Sequence, residues 1–341
     1  MDVDSVTILN GYADGIDPDC SRFVRITNCF VETHDDAICP KASLALGKAK
    51  STEQVTVTNC IISSSSNHFK LGTESSGDFK DIVLSNCAMI GRIPRAARDY
   101  SGIAIESVDG AHVDGLVISN IVMRNVGYPF FIRLGNRGRG LDKPHPGSVD
   151  NVSISNLIAT GSSGTSSITG VPGSPIRRVS LDNIRITTTG GELHQQGLGV
   201  PELPTGYPEG NMFGALPAYG LYVRHAERVT ARTVQVGWEQ PDLRPALVFD
   251  DVADLDLDGF RPETVAGNEP VVWLNAVRSA FLRGVHLTAH AKEFLRLTGR
   301  DTAGISLLGS NLAEADEPVH MGAEVPPDAL SETGNVLRKP Q

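Results

Sequence analysis

Acidic side chains occur in closely spaced pairs near the start of the chain, and such pairs can carry out acid–base chemistry. Asp14 and Asp17 lie three residues apart, and Asp35 directly precedes Asp36. Two carboxyl groups held close together split their pKa values, so that one stays protonated while the other is ionised. Hydrolysis of a glycosidic bond needs that combination of acid and base. The alternative is a solvated face of ordinary turn aspartates, which are common in Asp-Gly turns for backbone reasons.

Further polar and charged residues follow these acids at intervals of roughly one repeat. They are His68, Lys70, Glu74, Glu106 and Arg133. The histidine, the lysine and the arginine are suited to binding an anionic sugar, even though the protein as a whole is acidic. The alternative interpretations are a satisfied surface histidine and a ladder of stacked salt bridges.

The elements that must position these residues are indicated by β-branched runs that end in asparagine. Six such runs end at Asn28, Asn59, Asn86, Asn120, Asn156 and Asn183. Apolar residues alternate with Ser, Thr or Arg within each run, which is the period-two signature of a strand. A second strand-like run lies between successive copies, and the asparagines are 27 to 36 residues apart. This repeat predicts a parallel β-helix rather than a propeller, because a propeller blade needs four strands per repeat.

Stacking of the coils brings distant residues together. Equivalent turns of neighbouring coils lie about 4.8 Å apart, so residues one repeat apart become neighbours. The acids, the histidine, the lysine and the arginine then fall on one strip across five coils. Asparagine at the same turn of each coil would hydrogen-bond to the next coil and tolerate a left-handed backbone. Cys29, Cys60 and Cys87 each follow such an asparagine and are expected to stack as buried packing residues.

The composition excludes several classes of protein. The chain has 341 residues and a formal net charge of −10, which argues against nucleic acid or an anionic membrane as a partner. No apolar run approaches the roughly 18 residues of a membrane span. Five cysteines without a CxxC motif argue against a disulfide framework and a zinc cluster, so neither a metal nor a cofactor is predicted.

One solenoid domain is predicted over residues 1–313. The Gly- and Pro-rich residues at about 189–220 are expected to form a long insertion between two strands of one coil, and residues 314–341 a polar C-terminal tail. If the chain begins at Met1, its first coil is uncapped, and open solenoid ends need a cap for solubility. Homo-oligomerisation through that first coil is therefore an expectation.

Four short motifs in this order resemble glycoside hydrolase family 28, the polygalacturonases and related pectin-backbone hydrolases. Tyr12-Ala13-Asp14-Gly15 matches the family's Asn-Thr-Asp-Gly at its Asp and Gly, and Asp35-Asp36 matches the next motif. Asn67-His68-Phe69 keeps the histidine of Gly-His-Gly, while Ala104-Ile105-Glu106 stands where Arg-Ile-Lys is expected. The resemblance covers residues 1–190 well. Together with the repeat it implies an all-β, right-handed, single-stranded parallel β-helix of the pectin-lyase-like kind.

The resemblance also implies an activity, namely inverting hydrolysis of a pectic or related acidic plant or algal polysaccharide or oligosaccharide. Asp35 would protonate the leaving oxygen, and Asp14 and Asp36 would activate the attacking water. His68 would maintain the protonation state of the acid or contact the sugar. A secreted or periplasmic location is implied as well, although no signal peptide is visible in the sequence.

The altered fourth motif changes the expected substrate. Loss of the family's Arg and Lys removes a binding pair for galacturonate, and Glu106 would repel a uronate unless Lys70 neutralises it. Lys70 and Arg133, one coil on either side, could partly replace the lost charges. A rhamnogalacturonan-type, substituted or neutral sugar is therefore an alternative to plain homogalacturonan.

Two rival functions stay open at this point. One is a calcium-dependent polysaccharide lyase, in which the early aspartates bind Ca²⁺ and Lys70 or Arg133 acts as base. The other is a non-catalytic or degenerate carbohydrate-binding β-helix, which would present exposed aromatic side chains and show no turnover.

Overall fold

Strands account for all the regular structure in the computed structural model, which describes residues 1–92, 100–193, 197–267 and 270–338. These residues contain no helix. In chain order the strands are β1 (Asp2–Asp4), β2 (Thr7–Gly11), β3 (Arg22–Thr27), β4 (Phe30–Thr33), β5 (Thr52–Thr58), β6 (Ile61–Ser64), β7 (Phe69–Leu71), β8 (Phe79–Gly91), β9 (Ser101–Ser107), β10 (His112–Arg124), β11 (Tyr128–Leu134), β12 (Ser148–Ser162), β13 (Ser166–Thr169), β14 (Ile176–Gly190), β15 (Leu221–Gln240), β16 (Leu247–Asp258), β17 (Arg261–Pro262), β18 (Val272–Asn275), β19 (Arg278–Arg283), β20 (Ala291–Thr298), β21 (Ala303–Leu308), β22 (Asn311–Leu312), β23 (Ala315–Met321), β24 (Leu330–Thr333) and β25 (Val336–Leu337).

Each strand pairs in parallel with the equivalent strand of the next coil, which confirms the predicted right-handed parallel β-helix. Register follows the sequence repeat: Leu84 lies opposite Ile118, and Ile118 lies opposite Ile154. These three side chains are fully buried, because alternate residues of each strand point into the solenoid. Burial of these apolar columns from water is the main stabilising contribution.

The predicted asparagine ladder is present at the turn after the first strand segment for Asn86, Asn120, Asn156 and Asn183. Asn28 Nδ2 donates to Asp4 Oδ1 (2.9 Å) instead, and within the described residues no hydrogen bond joins Asn59 to a neighbouring asparagine of the ladder. Asn120 Nδ2 donates to Asn86 Oδ1 (2.9 Å), Asn156 to Asn120 (3.1 Å) and Asn183 to Asn156 (2.8 Å). All four residues have a left-handed backbone, with φ between 52° and 57°. Asparagine is therefore selected twice at this turn, by its amide and by its tolerance of positive φ.

Replacing Asn156 separates these two contributions. We expect Asn156→Ala to lower the free energy of unfolding by about 2–3 kcal/mol, because it removes both amide contacts and replaces asparagine, which tolerates positive φ, by alanine, which does not. Asn156→Gly removes the same contacts without that strain, and its loss is expected to be about 1 kcal/mol smaller. Urea titration measures both. Equal losses would mean that the backbone conformation contributes nothing.

The cysteine column is also as predicted. Cys29, Cys60 and Cys87 are buried, and all five cysteines are free thiols. Ile121 lies opposite Cys87 and continues the column into the next coil.

The chain beyond residue 313 differs from the expected tail. Strand β23 pairs with β20, β24 with β21 and β25 with β22. Ala315 and Val325 are buried, whereas most other side chains here are exposed. Because few side chains are buried here, apolar residues do not alternate regularly with polar ones, and this part of the sequence resembles a polar tail. Residues 339–341 lie outside the described residues.

The insertion begins after β14, which ends at Gly190, and runs to the start of β15 at Leu221. It crosses the outer face of the sheet formed by β9, β11, β13, β15 and β16. There it forms a second apolar cluster, which consists of Ala104, Phe131, Phe213, Leu216, Ala218, Tyr222 and Val248. Residues 194–196 of the insertion lie outside the described residues.

Two arginines of the sheet hold the insertion by its backbone. Arg133 Nη2 donates to the carbonyl oxygens of Glu202 (2.8 Å) and Leu203 (3.1 Å). Arg224 Nη1 donates to the carbonyl oxygen of Val200 (2.7 Å). Buried carbonyl groups need such partners, so the insertion is fixed to the solenoid by polar as well as apolar contacts. In the described parts of the chain, no helix is present that could cross a membrane.

Candidate active site

One buried ammonium group organises the candidate site. Lys70 Nζ lies 3.0 Å from Asp36 Oδ2, 3.7 Å from Glu106 Oε2 and 3.8 Å from Glu209 Oε1. Lys70 points outward from β7 because Phe69 and Leu71, on either side, are buried in the core. We call Asp36, Lys70, Glu106 and Glu209 the acid cluster. Three carboxyl groups around one cation cannot all be ionised without strong repulsion.

Asp36 is the ionised member of the acid cluster. Its Oδ1 accepts hydrogen bonds from Ser66 Oγ (2.9 Å), from the backbone N–H of Asn67 (3.1 Å) and from Asn67 Nδ2 (2.9 Å). Burial raises the pKa of Asp36, but the charge of Lys70 and these hydrogen bonds outweigh it and hold the pKa below its usual value. Asp36 therefore carries its negative charge at a fixed position.

Glu106 is fully buried on β9, and neither carboxyl oxygen accepts a hydrogen bond from the described residues. Burial raises its pKa well above the usual value, although Lys70 opposes the shift. The neighbouring turn packs closely on the backbone of β9: a Cβ at Gly72 would lie 2.6 Å from the Glu106 carbonyl oxygen. Glu106 thus takes up a proton far more readily than a solvent-exposed glutamate does.

Glu209 reaches the acid cluster from the insertion and is 12% exposed. Burial raises its pKa to about 7, and Lys70 and a hydrogen bond from Asn67 Nδ2 (3.3 Å) partly offset that rise. Glu209 therefore exchanges its proton near neutral pH, where the pKa of a proton donor or acceptor is most useful.

A pocket of about 340 Å³ opens above the acid cluster. It is lined by Asp35, Ser66, Lys70, Tyr100, Tyr207 and Glu209. Asp35 Oδ1 accepts the backbone N–H of Asp36 (3.0 Å), and the Asp35 carbonyl oxygen accepts Ser64 Oγ (2.6 Å), which fixes the turn. The pocket thus combines two carboxyl groups, one cation and two aromatic rings, which can bind a sugar and transfer a proton.

Asp14 lies beside this pocket but is paired with a different lysine. Lys41 Nζ lies 2.7 Å from Asp14 Oδ2 and 2.6 Å from Asp17 Oδ2. Asp14 Oδ1 also accepts the backbone N–H of Asp36 at 3.2 Å. Burial, with Asp14 nearby and Lys41 opposing, raises the pKa of Asp17 to about 6.

Three of the predicted sugar-binding residues lie outside the acid cluster. His68 is fully buried, its Nδ1 is 3.4 Å from the Ser101 carbonyl oxygen, and burial lowers its pKa. It is therefore a neutral interior side chain rather than a surface one. Glu74 forms an ion pair with Arg139 (3.1 Å). Arg133 lies opposite Glu106 in the sheet register, yet its guanidinium binds the insertion backbone as described above.

Sequence reasoning did not single out three residues of this region. Glu209 and Tyr207 belong to the insertion, which lacks the repeat and so has no register from which to place them. The Tyr207 ring lies 5.9 Å from Lys70 Nζ, a cation–π distance. Lys41 lies opposite Asp19 in the stacked coils, and the same coil-stacking argument, extended along the coil that carries Asp35 and Asp36, would have found it.

Replacing Glu209 tests whether burial raises the pKa of its carboxyl group. Its pKa of about 7 in the folded protein lies above the unfolded value of 4.5, so the wild type loses stability as pH rises from about 4.5 to 7. Glu209→Gln removes that loss. We expect its unfolding free energy, relative to wild type, to increase by up to about 3 kcal/mol across this interval. Urea titrations at several pH values measure it, with the exposed Glu239→Gln as control. A pH-independent difference would contradict the prediction.

Cation binding is opposed by the existing charge pairs. Ligand atoms of Asp14, Asp36 and Cys39 lie within 4.8 Å of one another. Both carboxylates already contact an ammonium group, Lys41 for Asp14 and Lys70 for Asp36. A calcium ion here would have to displace or tolerate two positive charges, which disfavours the lyase alternative.

Comparisons with known proteins find a solved structure with a similar fold and a sequence relative that matches about half of this chain. No protein-family model matches the chain. A probable polygalacturonase of Vitis vinifera is 23% identical over 183 residues, which is 51% of this chain and 36% of that protein. The chain therefore spans about a third of that relative's length.

Solved structures match over nearly the whole chain. The mannuronan C-5 epimerase A-module of Azotobacter vinelandii superposes with a TM-score of 0.55 and 13% identity, covering 98% of this chain and 81% of the other. The catalytic domain of an alpha-1,3-glucanase in complex with tetrasaccharides matches 96% of this chain and 63% of its own at 13% identity, with a low TM-score of 0.33. The chain is thus a parallel β-helix with partial sequence similarity to a polygalacturonase.

Proposed function

We propose that the protein is a glycoside hydrolase acting on a pectic or related acidic polysaccharide by two-carboxylate acid–base catalysis. The observation that carries the proposal is the pocket above the acid cluster. Asp35 and Glu209 both line this pocket, close to the ionised Asp36 and the buried Lys70. The partial similarity to a probable polygalacturonase supports the same class of reaction. Tyr100 and Tyr207 supply the aromatic surfaces on which sugar rings pack.

The carboxyl groups divide the work by their environments. Asp35 lines the pocket and is partly exposed, so it can reach the leaving oxygen and protonate it. Asp36 stays ionised, and with Asp14 it activates the water that attacks from the opposite face. Inversion requires the acid and the base to be about 6.5–9.5 Å apart, which leaves room for that water.

The substrate preference follows from the same charges. Among the described residues that line the pocket, Lys70 is the only cation, and Asp36 already pairs with it. A dense run of uronates would place further negative charge against Asp35 and Glu209. A backbone in which uronate alternates with a neutral sugar fits this charge balance better than an unsubstituted polyuronate. Secretion and assembly through the first coil stay predictions.

A second candidate is a carbohydrate-binding protein without turnover. It is favoured by the complete hydrogen bonding of Asp36, whose carboxylate is already engaged by Ser66, Asn67 and Lys70. Such a base has less freedom to accept a proton from water.

Release of reducing ends decides between these candidates. The assay uses homogalacturonan, rhamnogalacturonan-type polymers and neutral galactans, with the anomeric configuration of the first product read by NMR. We expect release with inversion from at least one uronate-containing polymer, unchanged by a chelator and without the ultraviolet absorbance of an unsaturated product. Chelator-sensitive release of an unsaturated sugar would identify a lyase. Saturable binding without any release would establish the binding protein.

A further inference from the structure

The outer face of the sheet is closed on one side of the pocket. On successive coils beyond Lys70, the outward residues are Ala104, Phe131, Ser167, Tyr222 and Val248, and each is at most 1% exposed. The insertion covers them with Phe213, Leu216 and Ala218. At about 4.8 Å per coil, this cover occupies roughly 15–20 Å along the solenoid axis. A sugar chain cannot lie on this part of the sheet.

The opposite side of the pocket stays accessible among the described residues. Asp14, Asp17 and Lys41, the outward residues of the preceding coils, have side chains that are 24%, 30% and 20% exposed. The pocket therefore has an open side toward Asp14 and a wall formed by the insertion, whose Tyr207 and Glu209 reach its edge.

The wall is held firmly rather than resting on the surface. Arg133, itself 2% exposed, donates from one Nη atom to the Gly170 carbonyl oxygen (2.9 Å) and from the other to the carbonyl oxygens of Glu202 and Leu203. Its guanidinium also stacks 5.2 Å from the Phe213 ring centre. Displacing the insertion would leave a buried charge and several carbonyl groups unpaired, so a substrate does not open this side by pushing the insertion away.

We propose that the enzyme acts only at the ends of polysaccharide chains, because the wall formed by the insertion prevents a chain from continuing through the pocket. This inference rests on the proposed function. One or two terminal sugar residues occupy the pocket against Tyr207, and the rest of the chain leaves toward Asp14. An internal bond cannot reach Asp35, since the chain on its far side would collide with Phe213 and its neighbours.

Product size and viscosity, followed together, test this inference. A polymer that the protein degrades is sampled at early times, and its viscosity is compared with the reducing ends released. We expect one small product from the first time point, with viscosity nearly unchanged when several per cent of the bonds have been cleaved. A rapid fall in viscosity with products of mixed size would overturn the inference while leaving the proposed hydrolase intact. Absence of release from every polymer and oligosaccharide would overturn the proposed function, and the inference with it.

A variant links the result to the wall. Phe213→Ala opens the second apolar cluster, which lies outside the main core, and is expected to raise the ratio of internal to terminal cleavage several-fold. Phe281→Ala, at a surface phenylalanine on β19, is the control and should keep the wild-type ratio. Circular dichroism establishes that both variants are folded. A folded Phe213→Ala variant with an unchanged ratio would mean that the insertion does not determine where the chain is cut.

Discussion

Asp35→Asn is expected to lower kcat by about 10²–10⁴, the range that a positioned general acid contributes. The carboxyl group lines the pocket and supplies the proton for the leaving oxygen in the proposed reaction. Asparagine keeps an oxygen in place to accept the backbone N–H of Asp36, which Asp35 Oδ1 accepts at 3.0 Å in the wild type. The turn should therefore be retained, and the unfolding free energy should change by less than about 0.5 kcal/mol.

Initial rates at saturating substrate measure this effect, with thermal unfolding as the check on folding. Asp182→Asn, at an exposed carboxyl on β14, is the matched control and should keep the wild-type rate. A folded Asp35→Asn variant with full activity would remove Asp35 from the mechanism and would move the acid role to Glu209, the other carboxyl group lining the pocket.

Lys70→Met is expected to lower the free energy of unfolding by about 3–5 kcal/mol at pH 7, because it leaves buried carboxyl groups without their cation. Lys70 holds the pKa of Asp36 below its unfolded value, and that stabilisation is present above about pH 4 and lost as pH falls through the folded pKa. Burial lowers the pKa of Lys70, but the neighbouring carboxylates outweigh it and hold the pKa well above its usual value, so its stabilisation is complete below about pH 10. The difference between wild type and variant should therefore be largest near neutrality and shrink on acidification.

A surface lysine provides the comparison for this prediction. Lys80 pairs with Asp78 at 2.8 Å, and its side chain is 43% exposed. Lys80→Met should cost less than about 1 kcal/mol, as exposed pairs do. Denaturant titrations of both variants from about pH 2 to about pH 8 make the comparison, because the stabilisation is lost below the unfolded pKa of Asp36. Equal and small losses would show that the acid cluster is neutral overall without Lys70.

The repeat made most of the architecture predictable. Asn86, Asn120 and Asn156 follow β-branched runs at regular intervals, and their ladder and left-handed backbones are present as expected. Stacking of coils also brought Asp36 and Lys70 together from positions 34 residues apart. Periodicity predicts such contacts because residues one repeat apart occupy equivalent positions in neighbouring coils, as long as the register of the parallel strands is kept.

Contacts that depend on residues outside the repeat, or on the orientation of a long side chain, could not be predicted. Arg133 is correctly placed opposite Glu106, but register fixes where a side chain starts and not which carbonyl groups its guanidinium reaches. Its partners Glu202 and Leu203, like Glu209, belong to an insertion without periodicity. His68 is fully buried rather than exposed on the strip. The chain beyond residue 313 resembles a polar tail because few of its side chains are buried.

The alternation of inward and outward residues along β9 has a consequence for redesign of the protein. Ile103 and Ile105 pack in the core, whereas Ala104 and Glu106 face outward beneath the insertion. A substitution at either outward position changes the charge beside the pocket and leaves the hydrophobic column intact, because successive side chains of a strand point to opposite faces. On this strand, charge and core packing can therefore be altered independently of each other.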